Sequence, residues 1–210
     1  MTITFYGEGC FKLQSGETTI LTDPIDSKSG LTAPRFKYDI LLKTLMSFPP
    51  VIVETKENYE GHYIVGAGEY NIKNIDIIGF PVVKESTDKF LKTVYLIKIE
   101  GIKICLLGHI ADMPELEISS HLEEVDILIA PGSGNPFIDQ KSLLKLIKQI
   151  EPKIVIPCFH KVSGLKRQAG DLKVLIEEFN HKQVEPQEKL TIKKKDLDEM
   201  KKTELTILKI

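Results

Sequence analysis

The chain has 210 residues, of which 42% are hydrophobic and 28% charged, and its formal net charge is -2. This length suits one sizeable core, so a single domain over residues 1–210 is expected. A charge so near zero argues against broad electrostatic binding to nucleic acid or to an anionic membrane. The three cysteines, Cys10, Cys105 and Cys158, lie far apart in apolar runs with no CxxC. That is the pattern of buried reduced thiols rather than of disulfides or a zinc cluster. The opening MTITFYGEGCFKL enters a strand pattern at once, and no apolar stretch reaches membrane-spanning length, so the expected compartment is the cytoplasm.

Thr2 to Tyr6, Phe11 to Gln14 and Thr18 to Thr22 alternate apolar and polar residues, broken at Gly7-Glu8-Gly9 and Ser15-Gly16 as hairpins are. Asp23-Pro24 ends the third strand, and a loop of turn residues leads to a buried strand over 39–42. Short strands are expected at Val51–Glu54 and Tyr63–Val65, with GAGEY (66–70) as a turn, followed by a strand at Ile75–Phe80. Thr93–Ile99 and Lys103–Leu107 form a hairpin across Gly101. Pro114 opens a short helical stretch to Glu124, and proline suits a first helical turn. Val125–Ala130 and Lys153–Cys158 are apolar runs typical of strands covered on both faces. Between them Leu143, Leu144, Ile147 and Ile150 make a helical stripe over 139–150, and a second helix is expected at Leu172–Phe179. KLTIKKKDL and ELTILKI close the chain as two alternating strands, with Lys193-Lys194-Lys195 as the solvated face of an edge. Strands early and helices late predict a layered α/β sandwich.

Several collinear stretches resemble the metallo-β-lactamase superfamily, specifically its lactonase-like branch of metal-dependent hydrolases. They are ITFYGEGCFKL, ILTDP, the 39–42 strand, GAGEY, TVYLIKIEGIKICLLGH, VDILIAPG and PKIVIPCFH, spanning Thr2 to His160. The resemblance implies an αββα four-layer sandwich with a one- or two-metal site at the sheet edges. It also implies a Thr/Ser-His-x-His-x-Asp-His loop after the 39–42 strand, whose side chains would bind zinc and the water that zinc activates. Here Thr44 keeps the family's Thr, but the first His falls on Leu45, the second on Ser47, the Asp on Pro49 and the last His on Pro50. Further on, Lys84 stands for the next family His and His109, in LLGHIAD, for the bridging Asp. The final His falls on Phe159, with His160 one residue late, and the family's GHS triplet reads Gly7-Glu8-Gly9.

Of the family's ligand positions only His109 keeps a good zinc donor, and a catalytic zinc needs about three. No cofactor is therefore expected: zinc would follow from the family, but its ligands are missing. His109 is a candidate general base or lone ligand; the plainer reading is a partly buried histidine bonded to a neighbour. Asp23 is a candidate shaping residue or an ordinary turn residue before proline. Glu8, Lys43 and Lys84, with His109, could replace the metal by an anion-binding pocket, or could be long side chains that fill a vacated cavity. Lys166 and Arg167 precede a helix, where an anion could bind. His62, His121 and His181 read as surface residues, and PGSG (131–134) as a turn at the pocket rim.

Two functions follow. The first is a pseudoenzyme: a hydrolase-like fold without metal-dependent hydrolysis, serving as a ligand-binding or interaction module for a small anionic molecule. The second is a hydrolase of a small anionic ester or lactone, with His109 as base or ligand, Lys84 as oxyanion partner, and Asp23 or Glu8 orienting them. The exposed edges permit a dimer without requiring one.

Overall fold

The computed structural model describes residues 1–47, 61–179 and 185–210. The expected strand at 51–54, Pro49, Pro50 and His181 lie outside the described residues.

Alternation builds the first sheet. In β1 (Thr2–Gly7), β2 (Cys10–Ser15) and β3 (Thr18–Thr22), antiparallel in sequence order, Ile3, Phe5, Phe11, Leu13 and Ile20 all face inward and are fully buried or nearly so. After a long loop, β4 (Ile40–Lys43) runs parallel to β3, with Ile20 opposite Ile40. The chain then leaves this sheet: β5 (Leu45–Ser47) pairs with the start of β9, Leu45 opposite Lys92. Thr44 is thus the residue at which the chain crosses between sheets. Its carbonyl accepts the Thr93 N–H (2.9 Å), and the Lys43 carbonyl accepts the hydroxyl of the buried Tyr95 (3.2 Å). β6 (His62–Val65) returns to extend the first sheet beside β4.

The second sheet begins with an antiparallel run, β7 (Gly68–Ile72), β8 (Ile75–Pro81), β9 (Phe90–Ile99) and β10 (Ile102–Leu106), so GEY belongs to a strand rather than to a turn. β11 (Ile127–Pro131) and β12 (Ile154–Cys158) add in parallel, and every residue of both is buried. Their continuous apolar runs have this cause: the inner face meets the first sheet and the outer face meets helices. α1 (Leu116–Ser119), α2 (Gln140–Ile150) and α3 (Lys173–Glu178) press Ile118, Leu143, Leu146, Ile147 and Leu175 onto Cys105, Leu128, Ala130 and Val155. Asp139 caps α2 by accepting the N–H groups of Lys141 (3.0 Å) and Ser142 (3.1 Å).

The outer face of the first sheet is covered differently. Cys10, Leu21 and Leu41 pack with Ile25, Leu31, Phe36 and Tyr38 of the segment between β3 and β4, so among the described residues a loop forms this outer layer.

The tail departs from expectation. β13 (Lys189–Thr191) pairs with β1, but the lysine run starts α4 (Lys194–Glu199), and β14 (Glu204–Leu205) joins β12 in the other sheet. The reason is local and tertiary together. The Asp196 carboxylate accepts the Lys193 N–H (3.0 Å) and turns the chain, Leu197 enters the core between the sheets, and Lys194 Nζ reaches the buried Asp126 (2.7 Å). The expected 114–124 helix shrinks to one turn. Among the described residues no helix is long and apolar enough to cross a membrane.

Candidate functional site

The ends of β3, β4, β10 and β12 meet at one edge of the sandwich, beside the β1–β2 turn. Asp23, just past β3, is 9% exposed, and its N–H is bonded to the Leu42 carbonyl (2.9 Å). Its carboxylate takes both donors of Thr44: Oδ1 accepts the backbone N–H (2.8 Å) and Oδ2 the hydroxyl (2.6 Å). The same hydroxyl oxygen stands 2.7 Å from His109 Nδ1. Gly108 makes this contact possible. Its φ is +61°, and a Cβ there would fall 2.2 Å from Thr44 Cβ, so only glycine lets the β10 end lie against Thr44.

An ionised Asp23 would set the tautomer of the imidazole. A threonine hydroxyl has one hydrogen. With Asp23 ionised, as the two donors at its oxygens favour, that hydrogen goes to Oδ2, and Thr44 accepts from His109 Nδ1–H. Nε2 is left as a bare acceptor and makes no hydrogen bond among the described residues, on a side chain that stays 21% exposed. Burial pushes His109 below its ordinary value against the opposing pull of Asp23, which keeps the ring neutral near pH 7. Burial likewise pushes the Asp23 carboxyl up, countered by His109 and the Thr44 hydrogen bonds.

Phe159 closes the inner side. It sits in the left-handed region (φ +54°), which a bulky residue rarely adopts. Its N–H bonds the Glu8 carbonyl (2.9 Å), and its carbonyl accepts Ser133 Oγ (2.8 Å) and Arg167 Nη2 (3.4 Å). So held, its ring lies 4.6 Å from the His109 ring and 4.4 Å from that of Phe137. A Cβ on Gly9 would fall 2.6 Å from Phe159 Cζ and 3.0 Å from Asp23 Oδ2, so the phenyl ring reaches the space beside the carboxylate.

Two ion pairs flank His109. Arg167 Nε meets Glu8 Oε1 at 2.9 Å, and its guanidinium carbon lies 5.5 Å from the Phe137 centroid. Lys92 Nζ meets Glu85 Oε2 at 2.7 Å, each side chain 14% exposed. Glu85 also accepts the N–H groups of Ala111 (2.7 Å) and Asp112 (3.0 Å), pinning the loop that carries His109. The Lys92 and Arg167 charges lower the His109 pKa, and that of Glu8 raises it.

The structure therefore brings Asp23, His109 and, through Arg167, Glu8 to one site. Lys84 is not brought there. It is exposed on the 3-10 turn Val83–Glu85, with its N–H on Glu115 Oε1 (3.1 Å), and Lys92 is the lysine whose charge acts on His109. Lys43 follows Leu42, which faces the inter-sheet core, and so shares the outer face with Leu41; its charge acts on Asp23 from there. His160 turns into the interior and stacks on Phe5 at 5.5 Å, with Nδ1 buried and unpartnered, and burial pushes it down to about 4. His121 stacks on Phe80 at 4.8 Å. All three cysteines are buried and unpaired, Cys10 pushed up to about 12.

Lys92, Glu85 and Phe137 were not legible as site residues, and Arg167 was legible only as a cation before a helix. Phe159 carried a signal, because it stands where the family resemblance expects a ligand. As a metal site the arrangement does not fit. His109 Nε2 is one free donor, but a phenyl ring stands beside Asp23 and no group of three His, Cys, Asp or Glu among the described residues could hold a metal ion.

Comparison with known proteins places the fold. A proposed Zn-dependent hydrolase of the metallo-beta-lactamase superfamily from Thermotoga maritima superposes with a TM-score of 0.79 at 22% identity, over 99% of this chain and 98% of that one. A proposed metal-dependent hydrolase from Parabacteroides distasonis gives 0.59 at 16% identity (99% and 92% covered). A metallo hydrolase from Ignicoccus hospitalis gives 0.64 at 15% (99% and 94%). No curated protein matches the sequence. The family model described as "Beta-lactamase superfamily domain" matches residues 2–159, and the chain belongs to that superfamily.

Proposed function

We propose that this hydrolase-like protein does not carry out metal-dependent hydrolysis and instead binds a small anionic molecule beside His109. One observation carries this: no group of three His, Cys, Asp or Glu among the described residues could hold a metal ion, and the Phe159 ring stands against His109 and beside Asp23. Fold alone does not fix activity, so a retained scaffold can host a different site. Arg167 and Lys92 are the cations near His109, each already paired with a carboxylate, Glu8 and Glu85. The unpaired thiols support a cytoplasmic home. Elemental analysis of protein purified without chelator or affinity tag, then incubated with excess zinc and desalted, is the test. Metal well below one equivalent is expected; one equivalent or more of zinc, iron or manganese overturns the proposal.

The bare Nε2 favours a second reading: a metal-independent hydrolase of a small anionic ester or lactone. A neutral imidazole that donates through a hydroxyl to a buried carboxylate can take a proton from water, and the carboxylate stabilises the imidazolium formed. Hydrolysis that survives chelation and disappears in His109→Ala would select this reading over binding alone.

A further inference from the structure

The second sheet carries an open groove of about 540 Å³ whose lining residues all belong to β7, β8, β9 and β10. It lies on the sheet's outer face. Ile75 and Ile77 of β8, and Tyr95, Ile97 and Ile99 of β9, fill the core between the sheets, so alternation turns Asp76, Ile78, Leu96 and Lys98 outward. The helices press on Cys105, Leu128, Ala130 and Val155, towards the other end of the sheet. Strand register orders the groove's charges. Asp76 stands opposite Lys98, and Ile78 opposite Leu96, across β8 and β9. Glu69 of β7 adds a second acid beside Ile78, and Lys103 of β10 a second cation beside Lys98. The β7–β8 half is thus acidic and the β9–β10 half basic, with Ile78 and Leu96 between them. Local partners leave part of this charge unanswered. Asp76 Oδ1 accepts from Asn71 Nδ2 (2.6 Å) and Lys103 Nζ meets Glu124 (2.7 Å), while Glu69 and Lys98 form no ion pair among the described residues.

We propose that this face binds a second copy of the chain, on a two-fold axis that runs along the strands between β8 and β9. A closed homodimer uses one self-complementary patch twice, and the register makes this patch self-complementary. Rotation about that axis lays β8 of one protomer over β9 of its partner, so Asp76 faces the partner's Lys98 and Ile78 faces the partner's Leu96. Each contact occurs twice. An axis across the strands would instead lay each strand over its own equivalent, acidic strands on acidic ones, so the charges select the first arrangement. Stacked sheets sit about 10 Å apart, a gap that facing Lys and Asp side chains can close. Four strands at about 4.8 Å spacing make a face only about 20 Å across. That is less than the about 800 Å² per partner of a standard interface, so the dimer is weak and forms as concentration rises.

Sedimentation velocity of the full chain over a concentration series reads the equilibrium. The wild type is expected to pass from monomer to dimer as concentration rises, and to do so less readily at high salt. Lys98→Glu makes the central pair acidic and Asp76→Lys makes it basic, so each variant alone is expected to weaken the dimer at least tenfold. Mixing the two variants is expected to restore it as a heterodimer, because every 76–98 contact then joins opposite charges. Ile78→Lys, which leaves both charged positions as they are, is expected to weaken it as well. Circular dichroism confirms that each variant is folded. A wild type that stays monomeric throughout overturns the inference. So does a dimer that ignores Lys98→Glu and Ile78→Lys, which would place association elsewhere, as at the β7 edge. Two folded charge variants that fail to recover the dimer on mixing overturn it too.

Discussion

His160 gives the sharpest test of the interior. Its ring stacks on Phe5 with Nδ1 unpartnered, and its pKa falls from 6.5 to about 4 through burial. The native state therefore holds a neutral imidazole, while the unfolded chain takes up a proton below pH 6.5. The sign follows: this contribution to stability is fully present above 6.5 and is lost as pH falls towards 4. The loss amounts to about 2 kcal/mol at pH 5 and about 3 kcal/mol once both states are protonated. His109, also lowered, acts in the same direction, and Asp23, raised, acts against it, so the wild type alone does not isolate the residue. His160→Phe does. It keeps a ring on Phe5, removes the titration, and relieves an unsatisfied polar atom that costs about 1–3 kcal/mol. Urea denaturation at pH 7.5 and pH 5 is the assay. The variant should be more stable at both, with its advantage growing by about 2 kcal/mol at the lower pH. If the two proteins lose stability in parallel, the buried neutral histidine is wrong.

Three further outcomes follow from the site. Asp23→Asn turns the oxygen opposite the Thr44 hydroxyl into a donor, so Thr44 should donate to His109 and move the ring proton to Nε2; ¹⁵N chemical shifts report the tautomer, and an unchanged one refutes the proton count. Gly108→Ala places a Cβ against Thr44 in the left-handed region and should cost about 2–4 kcal/mol in chemical denaturation; a loss below about 1 would mean Thr44 can yield. Glu85→Ala strands the partly buried Lys92 and frees the Ala111 and Asp112 N–H groups, for a cost of about 2–4 kcal/mol, with faster amide exchange at 109–113. Slow exchange there would assign the loop's order to other contacts.

What the sequence disclosed tracks the range of the interaction. β1 to β3 and α2 were legible because a period of 2 or 3.6 is local, and Asp139 announces its helix from one position away. The tail was not, because Thr191 and Glu204 go to different sheets and nothing in LTIKKKDL says that Leu197 enters the core. In the site, Asp23 and His109 stood out by residue type and by position in the family pattern. Lys84 and Lys92 illustrate the limit: both are lysines near strand ends, and only the fold distinguishes the one whose charge acts on His109.

The residues at the family's ligand positions make more sense together than one at a time. A buried carboxylate such as Asp23 is costly unless charge or hydrogen bonds answer it. A bound metal would be one answer; removing it without replacement would leave the carboxylate exposed to the full desolvation cost. Here Thr44 answers both oxygens, and His109, a donor where the family resemblance expects an acid, answers the Thr44 oxygen in turn. Aspartate at 109 would set a second carboxylate against the hydroxyl and force one of the two to take up a proton. Phe159 completes the exchange, since a ring beside Asp23 leaves little room for the water that would otherwise weaken these bonds. On the proposed metal-free reading, substitutions that compensate one another in charge, donor count and volume would make this a rebuilt site rather than a decayed one, and His109 Nε2 is the natural place to look for its use.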